Sequence, residues 1–458
     1  MENPYLSPAA KTASRLAATE AAAPSNVRYV VLGVTTLASF LLYLDRICLA
    51  EVLSNPSVIE ALGLTDAQIG WSLSAFFWSY ALGQVPSGWI SDRFGARRML
   101  TIYILSWSLF TALTGWAVGF VMLFALRLSV GVAQAGAYPT SGGIVSRWIP
   151  LAHRGTASSI VTFGGRLGGA VAPYSTSWLI PLCGWRVAML LYGLIGAAVA
   201  GAFWRLFRNR PAEHRRCNPA EQELIAYGRS ADPSPNGPAA DRAEQTKPVV
   251  GAVLRNASMW LMCLSQFTTN VGWVFLVTWL PTYLKNAKGA GESSGIMGTT
   301  VLLVGMAGML LGGRTTDWAT RRLGIRWGRS LPLVLSRFVA AAAFLIVPEL
   351  ESAWEATAAF AMVAFATDLG VAGTWAFMQD VGGKYVGAIL GWGNMWGNLG
   401  AAVSPPLLNW VSAGVGPGGI ATRNWNIAFA VCAAGFIVSG LASLGINAAE
   451  PVAPEDGR

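Results

Sequence analysis

Four charged side chains in the first half of this sequence lie inside apolar stretches of about 20 residues, long enough to cross a bilayer. They are Asp45, Arg46, Arg127 and Arg166. An ionisable group at membrane depth costs about 2.5–3.5 kcal/mol on insertion scales, so it normally faces a cavity or a partner of opposite charge. Because a guanidinium group matches the two oxygens of a carboxylate or phosphate, three arginines against one aspartate predict a binding site for a small organic anion.

Helix geometry brings these side chains to similar depths. With a rise of 1.5 Å per residue, Arg127 lies about 12 Å below the outer surface and Arg166 about 16 Å from the inner surface. Asp45 and Arg46 fall in the outer half of the first apolar stretch. We therefore expect the three arginines to converge in one central cavity and to contact substrate. The alternative is a permanent ion pair between Asp45 and an arginine that holds helices together.

Two acidic residues inside apolar stretches are candidates for proton coupling. Asp45 is the natural carrier, because a substrate that occupies the neighbouring arginines releases this carboxylate to take up a proton. Static pairing with Arg46 or Arg127 is the alternative. In the second half, Asp368 is either a second coupling site or the partner of Arg337 on the preceding apolar stretch. The pair with Arg337 is the simpler of these two interpretations.

Neutral polar and aromatic residues complete the predicted site. Asn394 and Asn398 are four residues apart on one helical stretch and therefore share a face, from which they are placed to hydrogen-bond substrate hydroxyls. Trp375, Tyr43 and Tyr80 are candidates to line the cavity. The alternatives are interhelical hydrogen bonding for the asparagines and packing or interface anchoring for the aromatic residues.

The composition shows which elements must position these residues. Of the 458 residues, 53% are hydrophobic and 12% are charged, with 52 Gly and 20 Trp. The mean hydropathy is +0.47. These values exclude an ordinary soluble enzyme and predict an all-α integral membrane protein. Twelve transmembrane helices are predicted at 28–50, 69–91, 99–118, 120–145, 155–179, 185–207, 257–284, 295–317, 330–348, 354–378, 384–411 and 424–446.

The positions of the basic residues predict the topology. Lys and Arg are concentrated in the loops that follow even-numbered helices, including Arg147, Arg154 and Arg329. The positive-inside rule therefore places both termini and the long polar linker in the cytoplasm. The net charge of +9 becomes a topology signal, which leaves no support for nucleic-acid binding. The expected domains are an N-terminal tail (1–27), a six-helix bundle (28–207), a linker with little fixed structure (208–256), a second six-helix bundle (257–446) and a C-terminal tail (447–458).

The two halves repeat one motif after their second helix. The first half contains GWISDRFGARR at 88–98, and the second contains GRTTDWATRR at 313–322. Both place a Gly four residues before an Asp and an Arg pair within six residues after it. This repeat predicts a duplication of six helices, as is common in transporters.

The motif at 88–98 resembles the signature loop of the major facilitator superfamily. Further segments resemble its anion:cation symporter family, which includes hexuronate, galactonate and aromatic-acid permeases. These segments are YLDR at 43–46, SAFFWSYALGQVPSG at 74–88, TWLPTYL at 278–284 and GNLGAAVSP at 397–405. The resemblance implies that the signature loops form a cytoplasmic latch between the halves. The latch residues are then Gly88, Asp92, Arg93, Gly95, Arg97, Arg98 and, in the second half, Asp317.

One position departs from the family pattern. Seven residues after Arg127, many proton-coupled members carry a glutamate, whereas this sequence has Gln134. An amide takes up no proton at physiological pH, so a relay of two carboxylates is not expected here. Proton symport, another coupling ion and uncoupled movement all remain open at this point.

The sequence as a whole predicts a secondary transporter of a small organic anion, such as a sugar acid, that works by alternating access and proton symport. An anion exchanger, an uncoupled facilitator and a solute sensor are the alternatives. The expected location is the inner (plasma) membrane, where the protein acts as a monomer. No cofactor or metal site is expected. The sequence contains no HExxH, GxSxG or GxxxxGK[ST] motif that would indicate an enzyme or an ATP-driven pump.

Overall fold

The computed structural model describes residues 23–227, 250–415 and 421–452. These ranges are almost entirely helical. The helices are α1 Val27–Val52, α2 Pro56–Leu62, α3 Asp66–Phe94, α4 Ala96–Thr114, α5 Phe120–Ala135, α6 Ala137–Trp148, α7 Arg154–Leu206, α8 Pro219–Ala226, α9 Val250–Arg255, α10 Ala257–Thr278, α11 Leu280–Asn286, α12 Ser294–Ile346, α13 Ala353–Leu369, α14 Val371–Val381, α15 Val386–Ser412 and α16 Trp425–Leu444.

These helices form twelve spans. Helices α7 and α12 each contain two spans, because the chain turns sharply at Gly184 (φ 79°) and at Gly324 (φ 77°). A positive φ of this size is accessible to glycine without steric penalty. Conversely, α5 with α6 and α13 with α14 each form one span that is interrupted at Gly136 or Gly370. Both interruptions fall in the fourth span of their half, and the turn at Gly324 has its counterpart at Gly95 (φ 89°) in the first half, as the predicted duplication requires.

Length and apolarity support a membrane location for most of these spans. Within the described residues, seven helical segments are long and apolar enough to cross a membrane, and two of them, 151–206 and 294–349, are the paired spans. The three remaining spans are α3, α4 and α15. Helices α3 and α4 carry the first signature motif, and α15 is the helix of the second half that this motif contacts. The chain is therefore a multi-pass membrane protein, as the composition predicts.

The first bundle comprises α1–α7 and the second α10–α16. The end at which residues 207–256 join them is called here the linker end. The opposite end carries β1 (Ala413–Val415) and β2 (Ala421–Arg423), an antiparallel pair that the sequence did not predict. The loop between the last two spans closes into this pair, and Arg423 fastens it by donating to Asn409 at 2.8 Å.

The apolar core shows where the bundles meet. One buried cluster contains the core of the first bundle together with second-bundle residues near the linker end, such as Trp375, Ile389 and Leu390. A separate cluster fills the other end of the second bundle alone, around Phe275, Phe344 and other aromatic rings. The two bundles are therefore packed together towards the linker end.

The prediction of little fixed structure in the linker is wrong for its first part. Helix α8 is fastened to the start of α1, because Glu221 accepts hydrogen bonds from the backbone N–H groups of Val27 (3.1 Å) and Arg28 (3.0 Å). Burial raises the pKa of Glu221, but hydrogen bonds from Ser25 and Arg28 outweigh it, so the pKa is lowered overall. Residues 228–249 of the linker, and the tails 1–22 and 453–458, lie outside the described residues.

Most of the cysteines pack in the interior of the bundles. All five are free thiols, and Cys48, Cys217, Cys263 and Cys432 are buried. No disulfide framework takes part in holding the bundles together.

Candidate functional site: an arginine cluster at the bundle interface

Arg46 is held in a box of aromatic rings. Its guanidinium carbon lies 4.6 Å from the ring centre of Tyr43, 4.8 Å from that of Phe76 and 4.4 Å from that of Tyr80. Its Nε donates to Oε1 of Gln134 at 3.4 Å, while the buried Nη2 has no hydrogen-bond partner. Ring faces attract the cation without neutralising it. The guanidinium therefore keeps its positive charge and a free donor.

Arg127 lies against the same ring as Arg46. Its guanidinium carbon is 5.0 Å from the ring centre of Phe76, and only 3% of the residue is exposed. Its Nε also lacks a hydrogen-bond partner. Within the described ranges, no carboxylate oxygen lies within 4.0 Å of the guanidinium of Arg46 or Arg127. Two guanidinium groups without counter-ions, both close to the ring of Phe76, create a local positive charge that favours binding of an anion.

Asp45 is buried without a cationic partner. It is 1% exposed, and neither carboxylate oxygen makes a hydrogen bond within 3.5 Å, although the indole of Trp107 faces it as a weak donor. The alternative of a permanent ion pair with Arg46 or Arg127 is therefore not met in this structure. An ionised carboxylate buried without a partner is costly, which keeps Asp45 a candidate for proton uptake.

Arg166 differs from the other two arginines because it carries a counter-ion. Its Nη2 lies 2.9 Å from Oδ1 of Asp368 in the second bundle, and its guanidinium stacks on Trp273 at 4.5 Å. The predicted pair of Asp368 with Arg337 is wrong: Arg337 donates to the carbonyl oxygen of Thr367 at 3.1 Å instead. Sequence proximity favoured Arg337, whereas the structure gives Asp368 a partner in the other bundle.

The glycines that flank Arg166 explain its position. An added Cβ at Gly164 would lie 2.8 Å from the carbonyl oxygen of Thr36, and one at Gly168 would lie 2.0 Å from that of Phe40. Helices α7 and α1 therefore pack backbone to backbone on both sides of the arginine, as the GGRLGG sequence predicts. This contact leaves Arg166 to point towards the second bundle.

The aromatic candidates also meet at the bundle interface. Trp375, which is 4% exposed, contacts Tyr138 of the first bundle edge to face, with ring centres 5.1 Å apart. Tyr138 in turn contacts the ring of Tyr43 at 6.1 Å. Tyr138, Phe76 and Trp273 were missed by the sequence analysis, because nothing in their local spacing separates them from ordinary packing residues.

Asn394 and Asn398 lie on the face of α15 that is directed at the first bundle. With 100° per residue, both align with Gly391, whose Cβ position is 2.5 Å from the carbonyl oxygen of Gln84 in α3. The Nδ2 of Asn398 donates to the carbonyl oxygen of Asn394 at 2.7 Å. The opposite face carries Trp392 and Trp396, which pack on Trp260.

The first signature motif joins the bundles through backbone groups. Asp92 accepts hydrogen bonds from the N–H groups of Gly387 (3.1 Å) and Ala388 (2.9 Å) at the start of α15. A carboxylate is favoured at a helix N-terminus. Gly88, one turn earlier, is needed because a Cβ there would lie 2.2 Å from the carbonyl oxygen of Gly387. Arg147 is the nearest cation to Asp92, at 3.9 Å.

The second motif repeats this arrangement in the opposite direction. Asp317 accepts hydrogen bonds from the N–H groups of Gly155 (2.9 Å) and Thr156 (2.8 Å) at the start of α7, and from the Thr156 hydroxyl (2.6 Å). A Cβ at Gly313 would lie 2.6 Å from the Cα of Thr156. Each half therefore binds the first turn of a helix in the other half.

A buried ionic network surrounds the second motif. Asp380 binds Arg154 at 2.7 Å and Arg329 at 2.8 Å, and Arg329 also lies 3.3 Å from Asp317. The sequence pattern predicts only a topological role for Arg154 and Arg329. Arg329 is instead 0% exposed, because its span begins at 325 and not at the predicted 330. The sequence signal for this ionic network is Asp380, an acidic residue just beyond the predicted end of its helix.

The basic residues of the first motif have different surroundings. Arg97 donates to the carbonyl oxygen of Trp204 at 2.7 Å and stacks on its ring at 4.0 Å, while Asn209 binds its backbone N–H at 2.9 Å. Arg97 therefore fastens its own bundle. Arg93 stacks on Trp89 and is exposed, and Arg98 is also exposed. Gly95 (φ 89°) makes the turn between α3 and α4.

Within the described residues, no group of three His, Cys, Asp or Glu side chains has the arrangement of a metal site. The ionisable groups that the structure brings together are instead arginines with aspartates or with aromatic rings. Such a set binds anions and forms ion pairs between helices.

Twelve spans in two repeats, joined at one end and holding charged residues between them, define a membrane transporter of the duplicated six-helix type. Residues 35–405 match the model of the Major Facilitator Superfamily. The chain belongs to this superfamily, and the resemblance noted in its signature loop is thereby confirmed.

Individual proteins show the same similarity. The chain is 31% identical to a probable sulfoacetate transporter of Cupriavidus necator, over 92% of this chain and 94% of that protein. It is 28% identical to a probable galactarate/D-glucarate transporter of Bacillus subtilis, over 86% and 87% of the two chains. Among solved structures, the fucose transporter FucP in its outward conformation superposes with a TM-score of 0.63 at 14% identity, over 91% and 99% of the two chains. This last likeness concerns the fold alone.

Proposed function

We propose that this protein is a secondary active transporter that imports a small organic anion, a carboxylate such as a sugar acid, by proton symport. The observation that carries the proposal is the pair of unneutralised guanidinium groups, Arg46 and Arg127, which lie 4.8 and 5.0 Å from the ring centre of Phe76. The names of the relatives, which include sulfoacetate, galactarate/D-glucarate and D-galactonate transporters, support an organic acid. An acid is the ligand class that this pair of cations selects.

Residues of both bundles contribute to the proposed site. Arg46 and Arg127 bind the acidic group, while Tyr43 and Tyr80 shape the pocket around Arg46. Asn394 and Asn398 of α15 hydrogen-bond hydroxyl groups of the substrate, and Trp375 closes the site from the second bundle. A substrate that contacts both bundles changes the relative stability of the outward-open and inward-open states. This change is the basis of alternating access.

Asp45 is the proposed proton carrier. Its unpaired, buried carboxyl group lies one residue before Arg46 on α1. A proton on Asp45 removes the negative charge that would otherwise oppose an anion at the neighbouring arginine. Proton binding and substrate binding are then mutually favourable, which couples the two fluxes.

The orientation follows from the charge distribution. Basic residues are concentrated at the linker end, which we assign to the cytoplasm together with both termini. In this structure the bundles are joined at that end, so the arginine cluster is sealed from the cytoplasmic side. The proposed setting is a monomer in the inner (plasma) membrane.

Gln134 favours a second candidate function, exchange or facilitated diffusion without protons. Its amide accepts from Arg46 and donates to the carbonyl oxygen of Leu42 at 3.1 Å, so it serves as a neutral link between α1 and α5. With this position unable to carry a proton, Asp45 is the remaining candidate in the first bundle.

Transport by purified protein in vesicles tests the proposal. Galactarate, D-galactonate and sulfoacetate are offered to vesicles with and without an inward proton gradient. We expect gradient-dependent uptake that Arg127→Ala abolishes and that Arg186→Gln, at an exposed site far from the cluster, leaves unchanged. Uptake that survives Arg127→Ala contradicts the anion site. Counterflow that ignores both the gradient and Asp45→Asn supports exchange instead.

A further inference from the structure

The ion pair of Arg166 with Asp368 is a link between the bundles that a ligand can reach. The other ion pair between the bundles in the described residues, Arg154 with Asp380, is at the linker end, with side chains 8% and 1% exposed. The Arg166 side chain is 24% exposed and lies about three helical turns further from that end. It faces the same interface as the arginine cluster.

The internal repeat relates this pair to Arg46. Gln134 lies two residues before Gly136, where the fourth span is interrupted, and Asp368 lies two residues before Gly370, where the tenth span is interrupted. Each of these side chains binds a guanidinium group, Gln134 that of Arg46 and Asp368 that of Arg166. Equivalent positions therefore hold a neutral partner in one half and a charged one in the other.

Arg46 and the backbone on both sides of Arg166 pack against Tyr43. The guanidinium carbon of Arg46 lies 4.6 Å from the ring centre of Tyr43, and Cβ atoms added at Gly165 and Gly169 would lie 3.0 and 3.4 Å from carbons of that ring. A ligand whose first acidic group occupies Arg46 and Arg127 therefore extends towards Arg166. The obstacle to a second acidic group there is the carboxylate of Asp368.

Asp368 has a second cation within reach. Arg337, on the neighbouring span of its own bundle, is 1% exposed and donates to the carbonyl oxygen of Thr367, the residue before Asp368, at 3.1 Å. Its Nε is buried and has no hydrogen-bond partner. When the Asp368 carboxylate leaves Arg166, it can accept a hydrogen bond from the free Nε–H of Arg337. The acidic group of the ligand then pairs with Arg166, so both anionic groups have a partner.

We propose that Arg166 is the second acid-binding position of the transporter, specific for dianionic substrates, and that Asp368 is its internal counter-ion. The second acidic group of the substrate takes Arg166, and Asp368 moves to Arg337. This inference rests on the proposed function, which supplies the position of the first acidic group. The exchange breaks the link between the bundles near mid-membrane, so a dianion both fills the site and loosens the closed arrangement.

Galactarate and D-galactonate form a matched pair of probes, because they differ by one carboxylate at the end of the same carbon chain. Binding to purified protein is measured by calorimetry for the wild type and for Arg166→Gln, Asp368→Asn and Arg337→Gln, with Arg186→Gln as the control. We expect the wild type to prefer galactarate about tenfold, since one charge-assisted hydrogen bond is at stake. Arg166→Gln removes the preference, so that galactarate and D-galactonate then bind with about equal affinity.

The two remaining variants shift galactarate binding in opposite directions. Asp368→Asn tightens it, because Arg166 then has no counter-ion to displace, and Arg337→Gln weakens it, because the displaced carboxylate has no partner. Equal weakening of both acids by Arg166→Gln, or weaker galactarate binding in Asp368→Asn, overturns the assignment while Arg127-dependent binding persists. Binding of both acids that is independent of Arg127 contradicts the proposed function itself.

Discussion

The two signature motifs make the same contact between the bundles in different electrostatic surroundings. Asp92 and Asp317 each accept two backbone N–H groups from the first turn of a helix in the other half. Beyond that, the one cation that the described residues place within 4.0 Å of Asp92 is Arg147 at 3.9 Å, with 33% of that side chain exposed. Asp317 adds the Thr156 hydroxyl and a buried arginine, Arg329.

This difference indicates which of the two contacts that close the linker end, that of Asp92 or that of Asp317, is the less stable. Exposed ion pairs contribute about 0–1 kcal/mol, whereas breaking a buried pair by removing one partner costs about 3–5 kcal/mol. The Asp92 contact therefore rests on hydrogen bonds to a helix N-terminus, and the Asp317 contact rests on the same bonds plus a buried network. When the bundles separate, we expect the Asp92 side to open first.

The largest expected effect is that of Asp317→Ala. The change removes the acceptor of three hydrogen bonds and one partner of Arg329, which is 0% exposed. We expect a loss of about 3–5 kcal/mol in the stability of the closed arrangement. Thermal unfolding of the purified protein in detergent measures it, as a clear fall in the midpoint.

Asp92→Ala, the equivalent substitution in the first motif, is the matched control for Asp317→Ala. We also predict the size of its own effect. Two hydrogen bonds to a carboxylate are lost, worth about 3 kcal/mol together at about 1.5 kcal/mol each, and no buried cation loses a partner. Thermal stability therefore falls less than in Asp317→Ala. An equal or larger fall would show that the ionic network adds nothing to the second motif.

The same variant opens the linker end. Ser158 is 0% exposed and accepts a hydrogen bond from Gln379 across the interface at 3.0 Å. In a Ser158→Cys background, we expect Asp92→Ala to raise the rate of labelling by a membrane-impermeant thiol reagent about tenfold or more, since 1.4 kcal/mol corresponds to a tenfold shift. An unchanged labelling rate would mean that the Asp92 contact does not hold the closed state.

For the motif glycines we expect the larger effect at the first motif, whereas for the motif aspartates we expect it at the second. A Cβ at Gly88 would lie 2.2 Å from a backbone oxygen, whereas one at Gly313 would lie 2.6 Å from its nearest atom. Gly88→Ala is therefore expected to cost about 1–3 kcal/mol and Gly313→Ala somewhat less. Gly201→Ala, with no atom within 4 Å, is the control. Transport rate and thermal midpoint in these three variants test whether sterics and charge act separately.

The sequence predicted those features of the fold that depend on local pattern. The spans, the repeat and the Gly and Asp of each motif follow from hydropathy and spacing over ten to thirty residues. Asp317 was included in the latch because its motif repeats that of Asp92. Arg46 and Arg127 were singled out because a charge in an apolar helix needs an explanation.

What the sequence did not predict are contacts between residues far apart in the chain. Asp368 pairs with Arg166, 202 residues away, and not with Arg337, 31 residues away. Asp380 meets Arg154 across 226 residues. Helical periodicity specifies the face on which a side chain lies, but the partner on that face depends on how the two bundles pack, which no local pattern contains.

The smallest expected effect concerns Arg147, the one cation near Asp92. Its pair is long and a third exposed, so Arg147→Gln should change stability by less than about 1 kcal/mol and do so less at high salt. Arg154→Gln, which leaves Asp380 with one cation instead of two, should be several times more damaging. Both arginines belong to basic loops, so both contribute alike to topology. A large, salt-independent effect of Arg147→Gln would therefore place a buried ionic contact on the first side as well, and the two motifs would be electrostatically equivalent.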